Sequence, residues 1–444
     1  MIFVFRFAFS DAQTITAEEQ TWFIVGERIS KGDLPYADIW ETLPFLSACT
    51  YALLWTIFGA SKTALLITGN LLFFVQCLLV ARTMSRREIL HEKNHIPLLV
   101  FAVFSQFSTA CFVLSPQMMS LTAMLPAYDI ILRSDKESND FELLKIGFWA
   151  AVAALFDGLM TFSLLWFGFA VSNFRGMSPR HFSIIAYGFL LPFVLVFLLY
   201  VQADKEFFLF EHYFSPLFGT IWHLNLVNIP FFLTMLFLTL PIFAAIFKIL
   251  IQRSLTSYQG SVFFVLIFWL AWVGIFMLSE SFQKPLNLLY AAFPSTFLIP
   301  KWLMFIRKKV WKEIAFLFFM LGVAAPFWAE LKNPLGEKNA FGAKKIVATQ
   351  FEGKKIVVLG NNQNYYFNNT LVSPFLNWEL SKNYWDRSDT YEVIAEIVKI
   401  FTRERPEVVI DEEGYFAKFL IRAPVIAKMY KETEKGIFLL QSET

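Results

Sequence analysis

Apolar runs separated by short polar connections fill the first three quarters of the chain, and the pattern stops near Leu331. Runs over residues 182–201, 231–250 and 262–278 are almost free of charge. Each approaches the ~20 residues a helix needs to cross ~30 Å of hydrocarbon. Further apolar segments at 2–9, 63–80, 97–114, 118–132, 146–156, 159–171, 286–305 and 314–327 bring the expectation to about eleven membrane crossings. Two segments are irregular. The apolar stretch around Asp157-Gly158 reads as two short helices in a hairpin. Broken backbone at membrane depth persists only where protein buries it or a wet cavity receives it. The apolar helix expected over 45–58, ending at Gly59, is short for a span and reads as lying along the interface.

After residue 330 the pattern changes to that of a small α/β unit. Strands are expected at 354–359, 407–410 and 436–440, and helices at 391–401 and 424–429. The expected fold is therefore an all-α polytopic membrane bundle over residues 1–330 with a C-terminal α/β domain over 331–444. Composition agrees, at 57% hydrophobic and 17% charged, against ~25% charged in soluble domains. Cys49, Cys77 and Cys111 lie far apart in apolar runs and form neither a disulfide framework nor a metal-ligand spacing.

Charge orients the bundle. One set of alternate connections carries sixteen Lys and Arg, among them Arg82, Arg86, Arg133, Lys145 and Arg175, against five in the other: Arg28, Lys31, Lys62, Lys205 and Lys284. The positive-inside rule puts the richer set in the cytoplasm. The N-terminus is then inside, and the C-terminal domain is on the extracytoplasmic side of an inner (cytoplasmic) membrane. Reading residues 146–171 as one long helix would invert every later loop.

The first external loop, residues 10–60, concentrates Asp11, Glu18, Glu19, Glu27, Asp33, Asp38 and Glu41. Within it Thr16 and Glu19 have the spacing of a capping box at the start of an amphipathic helix over 16–29. Acids beside a membrane face can activate a hydroxyl or hold a divalent cation; a solvated surface is the competing reading for Glu27 and Asp33. Asp157 at the break is a further candidate, against a simple helix cap at the interface. In the tail, 357–362 ends a strand on a Gly turn without a dinucleotide or P-loop pattern, so nothing points to nucleotide binding or to nucleic acid.

The run Glu18-Glu19-Gln20-Thr21-Trp22-Phe23, then Gly32-Asp33-Leu34-Pro35-Tyr36-Ala37-Asp38, then Pro44 and an apolar helix to Phe58-Gly59, resembles the first loop of GT-C glycosyltransferases. Within that family it resembles in particular the branch of protein mannosyltransferases and aminoarabinose transferases. Arg405-Pro406-Glu407, Ala423-Pro424 and Met429-Tyr430 are similar to the external α/β segment that closes many of these proteins. The resemblance implies transfer of a sugar from a polyprenyl-phosphate carrier to an extracytoplasmic lipid, glycan or protein acceptor. It assigns the catalytic carboxylate to Glu18, with Asp11 as a nearer-membrane alternative, and leaves Asp157 as a third catalytic candidate. Here Glu18 replaces the Asp usual in the family. Glu19, Arg28, Asp38 and Lys205 are the expected substrate contacts, Arg28 and Lys205 toward phosphate. Glu41 ahead of Pro44, with His212 from a later loop, would hold a divalent metal cation; His223 is the alternative histidine. A non-catalytic GT-C-like subunit or carrier-binding protein stays open beside the enzyme. A transporter is a third reading, though no second broken pair of helices repeats the first.

Overall fold

The computed structural model describes residue 6 and residues 15–87, 89–90, 95–133, 139–176, 178–219, 229–251, 255–279, 284–332, 351–366, 368–372, 374–388 and 390–441. It is a polytopic helical bundle followed by an α/β region. Among the described residues five helices are long and apolar enough to cross a membrane: Lys62–Arg86, Pro179–Gln202, Ser257–Phe276, Leu286–Phe305 and Lys309–Trp328.

This corrects the expectation of about eleven crossings. The apolar stretch 97–114 becomes a 9-residue helix, Ile96–Phe104, followed by turns and a 3-10 segment at Thr109–Phe112. Helices Pro116–Ile131, Asp140–Phe156 and Ser163–Arg175 have 16, 17 and 13 residues. All fall short of the ~20 residues a crossing requires. Their apolar side chains serve the bundle core: Val100, Phe101, Ile146, Ala150 and Phe167 are fully enclosed. Hydropathy alone reports that a segment is apolar, without distinguishing contact with protein from contact with lipid. By contrast, Leu190, Leu195, Leu198 and Leu199 of Pro179–Gln202 point outward, as a lipid-facing helix requires. The segment at 2–9 lies outside the described residues except for Arg6, which is buried and donates to Gln106 and Asn70.

Small residues set the tightest crossing. A Cβ on Gly147 would stand 2.0 Å from the Ile185 carbonyl oxygen, and one on Gly188 2.2 Å from that of Leu144. Helices Asp140–Phe156 and Pro179–Gln202 therefore touch backbone to backbone, as small residues allow in membrane bundles.

The first loop folds as its pattern requires. Helix Ala17–Ser30 is capped by Thr16, with the Thr16–Glu19 capping box present. Helix Phe45–Phe58 starts after Pro44 and stops at Gly59, whose φ of 63° suits glycine. The two helices cross where a Cβ on Gly26 would meet the Tyr51 carbonyl oxygen at 2.7 Å, and Trp22 stacks on Tyr51 at 5.0 Å. Tyr51 donates to the Leu114 carbonyl and Ser47 to that of Phe156. These bonds fix the loop on the bundle beside the Asp157 break. Helix Asp140–Phe156 ends there, and a 3-10 turn follows at Gly158–Phe162.

The C-terminal region is a five-stranded sheet: β1 Lys355–Leu359, β2 Thr370–Leu371, β3 Val408–Asp411, β4 Tyr430–Glu434 and β5 Ile437–Leu440, in the order β2-β1-β3-β5-β4. β1 runs parallel to β2 and β3, whereas β5 pairs antiparallel with β3 and β4. Helices Trp378–Asp386 and Tyr391–Glu404 stand between β2 and β3 in the chain. The sheet region shares its core with the first loop. Ile24, Val25, Ile39 and Ala48 pack with Ile356, Val358 and Leu371, while Trp40 packs with Val357, Phe375 and Trp385.

Candidate functional site

The N-terminal turn of helix Ala17–Ser30, the strand-like run before Pro44, the Asp157 break and the entry to the Leu286–Phe305 span meet at one cavity of about 350 Å³. Glu18, Glu41 and Asp157, each on a different segment, all line it. Asn377, Glu379 and Leu380 of the C-terminal region form another wall. Glu18 faces the opening because the capping box turns its neighbour inward. Glu19 accepts from the Thr16 backbone N–H at 3.1 Å and pairs with Lys62 at 3.5 Å.

Lys284 is the cation of this cavity. Its Nζ lies 3.7 Å from Glu18 Oε1, and both side chains are about half exposed, 52% and 47%. Glu18 foremost, with Asp157 and Glu41, raises the Lys284 ammonium above its ordinary value, against an opposing effect of enclosure. Asp157 is held tightly: Tyr290 Oη donates to Oδ2 at 2.5 Å and the Leu159 N–H to Oδ1 at 3.4 Å. Burial pushes the Asp157 carboxyl up, and the Tyr290 hydrogen bond and Lys284 pull it back. Glu41 lines the cavity yet is largely surrounded by protein. That enclosure raises its carboxyl, opposed by hydrogen bonds from Thr42 and from the Asn377 side chain at 3.4 Å. Two raised carboxyls and one persistent ammonium are groups able to hold and pass a proton while a cation stays in place.

The other expected contacts are engaged elsewhere. Arg28 pairs with Asp33 at 2.6 Å and donates to the Leu371 carbonyl at 3.2 Å, joining loop to sheet. Asp38 takes Lys205 on both oxygens at 2.8 Å and caps the Leu34 N–H at 2.9 Å, closing the loop's turn. Glu19, Arg28, Asp38 and Lys205 thus do not line the cavity. Asp11 and His223 lie outside the described residues.

His212 and Glu41 also part company. His212 lines a second cavity of about 730 Å³ with Trp40, Phe208, Glu211 and Tyr384. Its Nδ1–H donates to the Tyr36 carbonyl at 2.6 Å, and its ring packs on Trp40 at 4.6 Å. Burial lowers the His212 imidazolium, opposed by the Tyr36 carbonyl and Glu211. Glu41 lines the first cavity, not the second; Glu41 and His212 thus line separate cavities. Among the described residues no three His, Cys, Asp or Glu side chains gather as metal ligands would. The two cavities adjoin along Pro216, Glu379 and Leu380. The Trp40 Nε1–H is buried there without an acceptor among the described residues.

Sequence reasoning passed over Lys284, Tyr290 and Asn377. Lys284 had a usable signal: it is one of five basic residues on the acidic loop's side, and it stands immediately before an apolar run. Tyr290 and Asn377 carry no local signal, because their roles arise from partners distant in the chain.

No family model matches the chain, and a search of curated proteins returns no match. Among solved structures it is similar to the crystal structure of ArnT from Cupriavidus metallidurans bound to undecaprenyl phosphate, with 14% identity. The likeness covers 75% of this chain and 63% of that one, at a TM-score of 0.48. The chain thus spans less than two thirds of that protein, and a likeness of this extent carries no weight for the chemistry.

Proposed function

We propose that the chain is a membrane glycosyltransferase of GT-C type, moving a sugar from a polyprenyl-phosphate-linked donor to an extracytoplasmic acceptor. The observation that carries this reading is the meeting of Glu18, Glu41 and Asp157 around Lys284 in one cavity beside the membrane-spanning helices. An acceptor hydroxyl attacks the anomeric carbon while the bond from that carbon to the phosphate oxygen breaks. The bonding electrons leave with the phosphate, which stays on its lipid. Glu18, open to the cavity, takes the hydroxyl proton, and Lys284 offsets the charge growing on the departing phosphate. Asp157, held by Tyr290, is the second proton-holding group. The upward shift of the Glu41 and Asp157 carboxyls lessens the repulsion a phosphate would otherwise meet. The adjoining cavity would receive the acceptor. Its ring faces from Trp40, Phe208 and Tyr384, beside Glu379, Glu392 and Glu396, suit a hydroxyl-rich molecule that is not anionic.

The extracytoplasmic placement is supported by helix Asp140–Phe156, which carries Glu142 and Lys145 near one end and meets Asp157 at the other. The basic connections gather at the end away from the cavity. The test is transfer by the purified full-length protein in proteoliposomes, supplied with polyprenyl-phosphate sugars and acceptors extracted from its source cells. Glu18→Gln should lose on the order of 10²-fold or more in rate. If Glu18→Gln, Asp157→Asn and Glu41→Gln each leave product formation intact, the enzyme reading fails. Substrate counterflow across liposomes without product would instead establish a transporter.

A further inference from the structure

A third cavity, of about 320 Å³, opens at the opposite end of the bundle and plays no part in the proposed transfer. Its walls are faces of three helices. Leu79, Arg82, Thr83 and Arg86 share one face of Lys62–Arg87 at helical spacing, and Leu125, Pro126, Asp129 and Ile130 share one of Pro116–Ile131. Glu142, Lys145 and Trp149 come from Asp140–Phe156, with Arg133 between the last two helices. Glu142 lies roughly 22 Å along that helix from Asp157, at ~1.5 Å per residue. The two sites therefore sit at opposite ends of that helix.

The charges in this cavity do not cancel. Glu142 is already shared by Arg133 and by Arg175, the latter at 3.3 Å. Asp129 is the other carboxylate of the lining, against Arg82, Arg86 and Lys145. Arg82 and Arg86 are exposed and make no ion pair among the described residues. Lys145 lies over the Phe141 ring at 4.2 Å. About one helical turn further from the charged end, the lining turns apolar at Leu79, Leu125 and Trp149. On either side the outer surface is apolar too: Phe74 and Leu78 are about half exposed on one helix, and Phe148 is partly exposed on another. A basic rim over an apolar floor, continuous with a lipid-facing surface, matches a phosphate group with an acyl chain attached.

We infer that this cavity binds the phosphate headgroup of an anionic membrane lipid, held by Arg82, Arg86 and Lys145 with its chain against Trp149 and Leu79. Free inorganic phosphate shares the headgroup chemistry but has no use for the apolar floor, and the test separates the two. The full-length protein would be purified in detergent, and native mass spectrometry would measure its retention of phosphatidylglycerol against phosphatidylcholine of matched chains. Thermal melting would be followed in parallel with each lipid and with inorganic phosphate. The expected result is preferential retention of phosphatidylglycerol, falling about tenfold or more in Arg82→Gln/Arg86→Gln. Lys145→Gln serves as a second, single-site variant, and should weaken retention by a smaller factor. Arg180→Gln removes an exposed base at the same end that pairs with Asp140 outside the cavity, and should leave retention as in the wild type. Equal retention of the two lipids overturns the inference. So does unchanged retention in both cavity variants, or stabilisation by inorganic phosphate equal to that by phosphatidylglycerol. None of these outcomes depends on sugar transfer.

Discussion

Replacing Lys284 by Gln removes the cation of the acidic cavity while keeping a side chain of similar length. The Nζ lies 3.7 Å from Glu18 Oε1, with both side chains about half exposed, 52% and 47%. A unit pair near this distance is worth ~4 kcal/mol at an effective dielectric of ~20 and ~1 kcal/mol in bulk water. Solvent screening at such exposure moves the interaction toward the lower figure, ~1–2 kcal/mol. Lys284 is also a charge that pulls the raised Asp157 and Glu41 carboxyls back down, so its loss lifts both further. Any part of the acidic limb of the transfer rate that these two carboxyls set then moves toward alkaline pH. The plateau should also fall, by on the order of 10²-fold, because the departing phosphate loses its counter-charge. Product formed in proteoliposomes across the mildly acidic to mildly alkaline range gives both readings. Lys284→Arg, which keeps the charge, should return the limb to its original position. A Gln variant that is monodisperse and shows an unshifted limb with an undiminished plateau would refute the role assigned to Lys284.

Much of the first loop was legible because its signals are local. Thr16 and Glu19 predict a capping box by spacing alone, and Pro44 and Gly59 bracket the short apolar helix; all four serve as expected. Asp157-Gly158 reads as a break because an acid and a glycine interrupt an apolar run, and the helix does end at Phe156. The number of crossings was not legible. Helices 96–104 and 140–156 are as apolar as spans, yet have only 9 and 17 residues, and composition does not show where within an apolar run a helix stops. Within the sheet region, the strands nearest β1, β3 and β5 could be expected from runs of branched residues, whereas β4, Tyr430–Glu434, is too polar to stand out. The substrate contacts expected at Arg28, Asp38 and Lys205 failed to reach the cavity for a related reason. Charge identity is visible in sequence, but the choice of partner is made by the fold, and Asp38 chose Lys205.

Three further outcomes are expected. Gly147→Ala and Gly188→Ala each place a Cβ 2.0 or 2.2 Å from a backbone oxygen, so the two helices must part and stability should drop by ~1–3 kcal/mol; unchanged melting temperatures would contradict the close crossing. Glu41→Gln should raise the melting temperature at neutral pH. Burial lifts the Glu41 carboxyl above its unfolded value, so its contribution to stability is present at acidic pH and lost as pH climbs through the folded value. The gain should therefore vanish below the ordinary carboxylate range, and a gain independent of pH would argue against this origin. Asn377 caps helix Trp378–Asp386, accepting from Glu379 N and Leu380 N, and donates its amide to Glu41. Asn377→Ala should cost ~1 kcal/mol of stability, whereas Asn377→Asp should keep the cap and still reduce transfer. Equal losses of stability in the two would tie Asn377 to structure alone.

Carboxylates gathered in one cavity repel one another, so their persistence has to be enforced from outside it. Asp157 is fixed by Tyr290 and the Leu159 N–H, and the turn bearing it by Ser47 Oγ on the Phe156 carbonyl at 2.7 Å. Glu18 rides on a helix start secured by the Thr16–Glu19 box. Glu41 follows Trp40, whose N–H donates to the Pro374 carbonyl at 2.7 Å and whose carbonyl accepts from the Asn377 N–H at 3.0 Å. Each acid is thus held by an anchor that would exist without its charge. Loop, bundle and sheet region each supply at least one of these anchors, which explains why the sheet shares its core with the loop instead of standing apart. A merely structural tail would need no such seam. A tail that fixes Glu41 and contributes Asn377 and Glu379 to the cavity wall has its place in the chemistry proposed there.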